Sequence, residues 1–252
     1  MEKISVTIIT LNEEGNIRDC LESVRWADEI LVSDSGSVDK TAEICREYGA
    51  KVFSDKWLGF GKQKNQIAGR AKNDWVLNID ADERVTPVLK DEISKAAATG
   101  GADGYYIARK NYFGDRWIRH CGWYPDYNLR LYRKDKGAFS ERSVHEAVEL
   151  KGKKAHLKNH FVHHTYKDVG DYLERMQRYS ALAAKEMFDN GRKAGITDIL
   201  LRPFFTFFKM FVIKGGFLDG AAGAILSFLY AAYTLSKYAK LWEMQNNPGK
   251  VP

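Results

Sequence analysis

The chain has 252 residues and a mass of 28.7 kDa; 44% of its residues are hydrophobic and 29% charged, a composition that excludes wholesale disorder and suits one mid-sized α/β domain with an appendage. Three separated cysteines, Cys20, Cys45 and Cys121, exclude a disulfide scaffold and a four-cysteine zinc site and favour a reducing compartment. The formal charge of +6 is uneven: residues 1–104 carry 14 Lys/Arg against 19 Asp/Glu, and residues 105–252 carry 25 against 14. An acidic front half suits a metal or sugar site. A basic back half suits phospholipid, phosphorylated glycan or nucleic acid, or is simply a solvated basic face.

Residues 4–11 form a β-branched apolar run, read as a buried strand that begins too close to the N-terminus for a signal peptide. A helix is expected over 12–26, with Ile17, Leu21 and Val24 at helical spacing, then a strand over 29–34. Ser37 is expected to cap a helix carrying Ala42, Ile44, Cys45 and Tyr48. A short strand at 51–53, a helix over 62–71, a strand over 75–80 and a helix opened by Pro87 follow. This alternation predicts a parallel sheet with right-handed crossovers, whose ligands bind beyond the carboxyl ends of the strands. After Gly104, strands are expected at 105–109, 128–133, 144–150 and 155–163, and helices from Asp168 onward.

Residues 199–245 carry seven phenylalanines, from Phe204 to Phe228. The stretch 217–235 holds one charge, Asp219, and approaches the ~20 apolar residues of a spanning helix. Its glycines and its basic flanks (Arg202, Lys209, Lys214, Lys237 and Lys240) fit an in-plane helical pair on an anionic leaflet better than a span. The plainer alternative is a buried helical hairpin.

Four motifs fall where strands end: 10–13 (Thr-Leu-Asn-Glu), 34–39 (Asp-Ser-Gly-Ser-Val-Asp), 59–65 (Gly-Phe-Gly-Lys-Gln-Lys-Asn) and 80–82 (Asp-Ala-Asp). Two carboxylates two residues apart at a strand exit can share a hard divalent cation and leave positions open for diphosphate oxygens. Asp34 and Asp39, around a Gly-Ser turn, could hold a ribose or base edge. Taken singly, Asp34 also suits a turn and Asp39 a helix N-terminus.

Together the segments 6–13, 29–41 and 77–82 resemble the family 2 glycosyltransferases of glycosyltransferase-A fold. The segments 120–126, 130–133, 144–146, 163–166 and 214–220 resemble its lipopolysaccharide-core β-glucosyltransferase branch. The resemblance implies a Rossmann-like α/β fold with a mostly parallel central sheet. The catalytic domain would span 1–166, with a donor half at 1–104 and an acceptor half at 105–166. A helical, membrane-associating region would follow at 167–252. It also implies inverting transfer from a UDP-sugar with Mg or Mn to a lipopolysaccharide-core or other lipid-linked acceptor, on the inner face of the cytoplasmic membrane.

In that reading Thr10, Asn12, Glu13, Asp34 and Asp39 line the nucleotide pocket, and Lys64 lies near the diphosphate. Asp80 approaches the ribose or metal, and Asp82 is the main metal ligand, with His163 able to complete the site. Inversion requires a base across the sugar from the metal. Glu146 is the first choice and Asp126 the rival.

Of the late histidines His156, His160, His163 and His164, a zinc cluster is conceivable, without a cysteine partner nearby. Arg130 and Arg133 could bind a phosphorylated acceptor or form structural ion pairs. Trp117, Trp123, Tyr124 and Tyr127 could stack on sugars or pack in a core. Two competing functions are a nucleotidyltransferase and a non-enzymatic basic lipid- or nucleic-acid-binding module. The first would need a Gly-rich basic loop after the first strand, where the chain has Leu11-Asn-Glu-Glu-Gly15. Nucleic acid is opposed by the acidic strand ends.

Overall fold

A computed structural model describes residues 2–140 and 147–247. Contacts divide the chain into two compact units: residues up to 110 with 126–163, and residues 111–125 with 164 onward.

In the first unit, β1 (Ile4–Thr10), β2 (Glu29–Asp34), β3 (Lys51–Ser54) and β4 (Trp75–Asn78) alternate with α1 (Glu14–Ser23), α2 (Thr41–Glu47) and α3 (Phe60–Gly69). The order β3-β2-β1-β4 is parallel throughout, with Thr10 opposite Asp34 and Thr7 opposite Asn78. β1 is buried on both faces, which is why it reads as a continuous apolar run. α1 packs Ile17, Cys20 and Leu21 on the sheet, and α2 packs Ile44 and Cys45. The expected cap at Ser37 is not formed: α2 starts at Thr41, and the Ser37 hydroxyl donates to Asp34 instead.

Beyond β4 the sheet turns antiparallel. β5 (Glu83–Val85) and α4 (Pro87–Thr99) follow β4 in sequence; Thr86 caps α4 and Gly100 ends it in the left-handed region. β6 (Gly104–Phe113), β7 (Arg116–Trp117), β8 (Asp126–Arg133) and β11 (Lys154–Tyr166) complete the order β4-β8-β6-β11-β5, with β7 on β6. β9 (Gly137–Phe139) and β10 (Val148–Leu150) form a separate hairpin. The sequence reading missed β5, β7 and β9, each too short for a period to show. The class expected from the sequence, a Rossmann-like α/β fold of glycosyltransferase-A type, is the one observed.

In the second unit, α5 (Val169–Asp189), α6 (Ile196–Phe208) and α7 (Gly220–Asn246) pack on one another, with a π-helical turn at Lys209–Ile213 and a 3-10 turn at Gly216–Asp219 between α6 and α7. Residues 216–246 are long and apolar enough to cross a membrane by length and composition. Asp219 is buried and accepts hydrogen bonds from the Arg119 and His120 amides at 3.3 and 2.8 Å. Cys121 donates to the Gly223 carbonyl. The segments 120–126 and 214–220, separate in sequence, are therefore each other's packing partners.

All three cysteines are buried and free. Burial raises their thiol pKa values, that of Cys45 to about 12 and that of Cys20 further.

A β-carbon on Gly223 would sit 1.9 Å from the Gly216 carbonyl oxygen, whereas one on Gly69, near the end of α3, meets nothing within 4 Å. Gly223→Ala should lower unfolding free energy by about 2–3 kcal/mol, and Gly69→Ala should leave it unchanged or raise it by up to ~1 kcal/mol. Urea denaturation of both variants checks the pair; equal effects would contradict the close approach.

Candidate active site

The loops leaving β1 and β2 are bound to each other by side chains. Asp34 at the end of β2 accepts from the Gly36 and Ser37 amides at 3.2 and 3.0 Å and from the Ser37 hydroxyl. Asn12, held at φ 55°, donates its amide to Ser37 and accepts from the Val38 amide, both at 2.9 Å. The Glu13 amide donates to the Thr41 hydroxyl, and the Glu14 amide to Asp39. Asp39 also accepts from the amide and hydroxyl of Thr41. These bonds outweigh the desolvation that opposes ionisation and hold its carboxyl below the usual range. Asn12, Glu13, Asp34 and Asp39 are thus brought together, and these bonds shape the two loops. Between them, Thr10 Oγ1 and Ser35 Oγ are buried without a hydrogen-bond partner among the described residues. Two such hydroxyls at adjacent strand ends suit a polar ligand such as a nucleoside.

The turn after β4 holds the densest charge. Arg130 on β8 is almost wholly buried and donates to Asn78 Oδ1 at 2.8 Å, Asp80 Oδ2 at 2.5 Å and Glu83 Oε1 at 3.0 Å. Lys64 on α3, equally buried, meets Asp80 Oδ1 at 3.0 Å. Desolvation works against the Asp80 anion, but Arg130 and Lys64 outweigh it and hold the carboxyl well below the usual carboxylate range. Glu83, fully buried, accepts from the Asp80 amide at 2.9 Å and meets Arg109 at 3.4 Å. Glu83 escaped the sequence reading, although an acidic run continuing from Asp82 into an alternating Glu-Arg-Val was its signal.

Asp82 lies 3.3 Å from His163 Nε2, on β11 opposite Glu83. Among the described residues no three His, Cys, Asp or Glu side chains converge as a metal-holding set. Asp80, expected to share an ion with Asp82, has an oxygen on each of two cations. The Asp82–His163 pair fits a divalent cation: one carboxylate oxygen and one imidazole nitrogen suit Mn or a similar ion and leave positions for phosphate oxygens.

Asp126 Oδ2 accepts from Arg109 at 2.8 Å, and its Oδ1 from Asn128 at 3.1 Å. Glu146 lies outside the described residues. The hairpin flanking it is pinned to α3: Asn65 exchanges two hydrogen bonds with the Phe139 backbone, at 2.9 and 2.7 Å, and the Phe139 ring lies 5.2 Å from Lys64 Nζ. Arg133 lies over Trp75 and meets Asp74, an ion-pair role. His156 stacks on Tyr106 and His164 lies beside Tyr112, so these histidines serve ring packing. Trp123 is buried against Tyr166 and Tyr230, while Tyr127 stays exposed.

Arg130→Met would leave the buried Glu83 and the half-buried Asp80 short of a cation, a loss of about 3–5 kcal/mol. Because the native Asp80 pKa is depressed, its contribution is present above the unfolded value near 4 and fades as pH falls through the native one. The deficit of the variant in urea denaturation should therefore be largest at neutral pH and narrow in acid; a deficit independent of pH would refute the coupling.

Residues 5–151 match the sequence model of the family described as "Glycosyl transferase family 2". The chain is 33% identical over 262 residues to an uncharacterized glycosyltransferase of Rickettsia bellii, covering 98% of this chain and 89% of that protein. It is 28% identical over 256 residues to the lipopolysaccharide core biosynthesis glycosyltransferase LpsC of Rhizobium meliloti, covering 94% and 93%. Among solved structures, residues 1–349 of S. aureus TarS in complex with UDP-GlcNAc superpose with a TM-score of 0.50 at 19% identity, covering 98% of this chain and 92% of that one, a likeness of fold. With strand ends built as described and a family match over more than half its length, the chain belongs to glycosyl transferase family 2 and is a glycosyltransferase.

Proposed function

We propose that the protein is an inverting, metal-dependent hexosyltransferase. Its donor is a UDP-sugar, with glucose as the transferred hexose. Its acceptor is a lipopolysaccharide-core or other lipid-linked glycan at the cytoplasmic face of the inner membrane. The observation that carries this reading is the Asp82–His163 pair beside the Lys64–Asp80–Arg130 cluster, beyond the carboxyl ends of parallel strands. The full-length similarity to LpsC, named for lipopolysaccharide core biosynthesis, supports the acceptor class.

In this mechanism Thr10, Ser35 and the loops fixed by Asn12, Glu13, Asp34 and Asp39 receive the nucleoside. Asp82 and His163 would hold Mg or Mn, with Asp80 at the ribose or the ion, and Lys64 faces the diphosphate. The bound cation supplies charge stabilisation for the leaving diphosphate. Glu146 takes the acceptor hydroxyl proton as the new bond to the anomeric carbon forms. The old carbon–oxygen bond breaks with its electron pair going to UDP. Asp126, with its oxygens on Arg109 and Asn128, is the weaker candidate.

A donor screen reading nucleotide release from a panel of nucleotide sugars tests the reading. EDTA should abolish release, and Mn²⁺ or Mg²⁺ should restore it; full activity in chelator would overturn the metal role. Asp82→Asn should lose turnover by about 10²-fold or more and, in calorimetry, lose the metal-dependent part of UDP binding, with its urea midpoint unchanged.

Glu146→Gln should keep donor affinity and lose turnover by about 10²–10⁴-fold. Unaltered turnover in Glu146→Gln with a collapse in Asp126→Asn would move the base to Asp126.

A further inference from the structure

Five basic residues flank the apolar C-terminal stretch, but the fold uses three of them internally. Lys240 donates to Gln177 O and Oε1 and to Ser180 Oγ at 2.8–2.9 Å. Lys237 lies over the rings of Tyr233 and Tyr238. Arg202 pairs with Asp198 and lies over Tyr238. Lys209 and Lys214 remain exposed, and the structure adds two cations distant in sequence. Arg116 places a guanidinium nitrogen 3.8 Å from the β-carbon position of Gly220, and the Lys214 stem runs 3.7 Å from that of Gly122. The Arg119 amide donates to Asp219, and its exposed guanidinium lies over Trp117. Arg116, Arg119 and Lys214 therefore rim the 3-10 turn that carries Phe217 and Leu218.

That turn is the end of a larger apolar face. α6 buries none of its residues. Phe207 contacts Phe211 and Phe228, and Phe211 contacts Phe217, which joins α6, both turns and the start of α7 into one aromatic surface. Phe204 is 70% exposed, Phe228 62%, Leu218 61% and Ile213 59%. The single acid of the stretch, Asp219, is sequestered beneath it. α7 meanwhile buries Leu226, Thr234, Tyr238, Leu241 and Met244 along its length, so it is a packed helix with one open side.

We propose that this face, Phe204 to Phe228 with the Arg116–Arg119–Lys214 rim, docks in the plane of an anionic phospholipid leaflet. Charge complementarity selects the occupant: the apolar face is bordered by cations at its 3-10 end, with Lys209 also exposed on it, and its one acid is buried, so a second copy would bring like charges together. The inference rests on the reading of a lipid-linked acceptor and names the surface that would meet its bilayer. Apolar side chains enter the acyl boundary while the rim stays at the phosphates.

The test is sedimentation of the full chain with phosphatidylcholine vesicles and with vesicles of equal parts phosphatidylcholine and phosphatidylglycerol. The wild type should pellet with the anionic vesicles and keep a residual, salt-resistant fraction. Each rim charge contributes about fivefold to partitioning, so R116E/R119E/K214E should weaken it at least ~100-fold. K3E/R46E/K95E, an equal charge change at exposed sites of the other unit, should not. Phe204→Ser with Phe217→Ser should remove the salt-resistant fraction. Equal losses in both charge variants, or wild-type protein in every supernatant, would overturn the proposal. Dimers by light scattering in the latter case would assign the face to a second copy. Nucleotide release, read in the same preparations without vesicles, separates failure of this surface from failure of the transferase assignment.

Discussion

One buried guanidinium organises the first of the two units. Arg130 reaches from β8 to Asn78 at the end of β4, to Asp80 in the following turn and to Glu83 at the start of β5. A charge so enclosed is tolerated because carboxylates meet it, and those carboxylates lean on it in turn, with Lys64 also on Asp80 and Arg109 also on Glu83. This mutual requirement fixes the turn through which Asp82 passes. Glu83 accepts the Asp80 amide, and β5 then pairs with β11 so that His163 falls opposite Glu83 and beside Asp82. The Asp82–His163 pair follows from a polar core made elsewhere. The antiparallel strand β8, lying against β4, is what lets a residue fifty positions along the chain serve this turn.

The loops after β1 and β2 solve a different problem. Both end strands buried on two faces, so their first polar residues emerge together at one edge. Bonds from Asn12, Asp34 and Asp39 to neighbouring amides lock the two loops into one surface, and Asn12 accepts a left-handed backbone to do so. These residues were legible in the sequence as a group because strand ends are legible: β1, β2 and β4 announce themselves by apolar, β-branched runs. Their division of labour was not, because turn-forming and ligand-binding carboxylates look alike until hydrogen-bond partners are known.

The same limit explains what the sequence concealed elsewhere. Ser37 has the chemistry of a helix cap, and only the competition from Asp34 decides against it. Arg130 and Arg133 alternate as equals on one strand, yet one is nearly fully enclosed and the other lies over Trp75 beside solvent. The pairing of His120 and Cys121 with Asp219 and Gly223 spans about a hundred residues, and no local pattern signals it. Gly223 has no side chain because the Gly216 carbonyl occupies that space. Segments that look like functional signatures of a subgroup can therefore be structural counterparts of each other.

The three thiols are spread usefully through this architecture. Cys20 and Cys45 lie on α1 and α2 against the sheet, and Cys121 lies with the C-terminal helices. All are enclosed, and their raised pKa values keep the reactive thiolate scarce near neutral pH. An alkylating reagent then reaches each sulfur only during local opening, so the rate of modification measures how often its surroundings come apart. The native chain thus carries an opening reporter in each of its two units, with no engineered label.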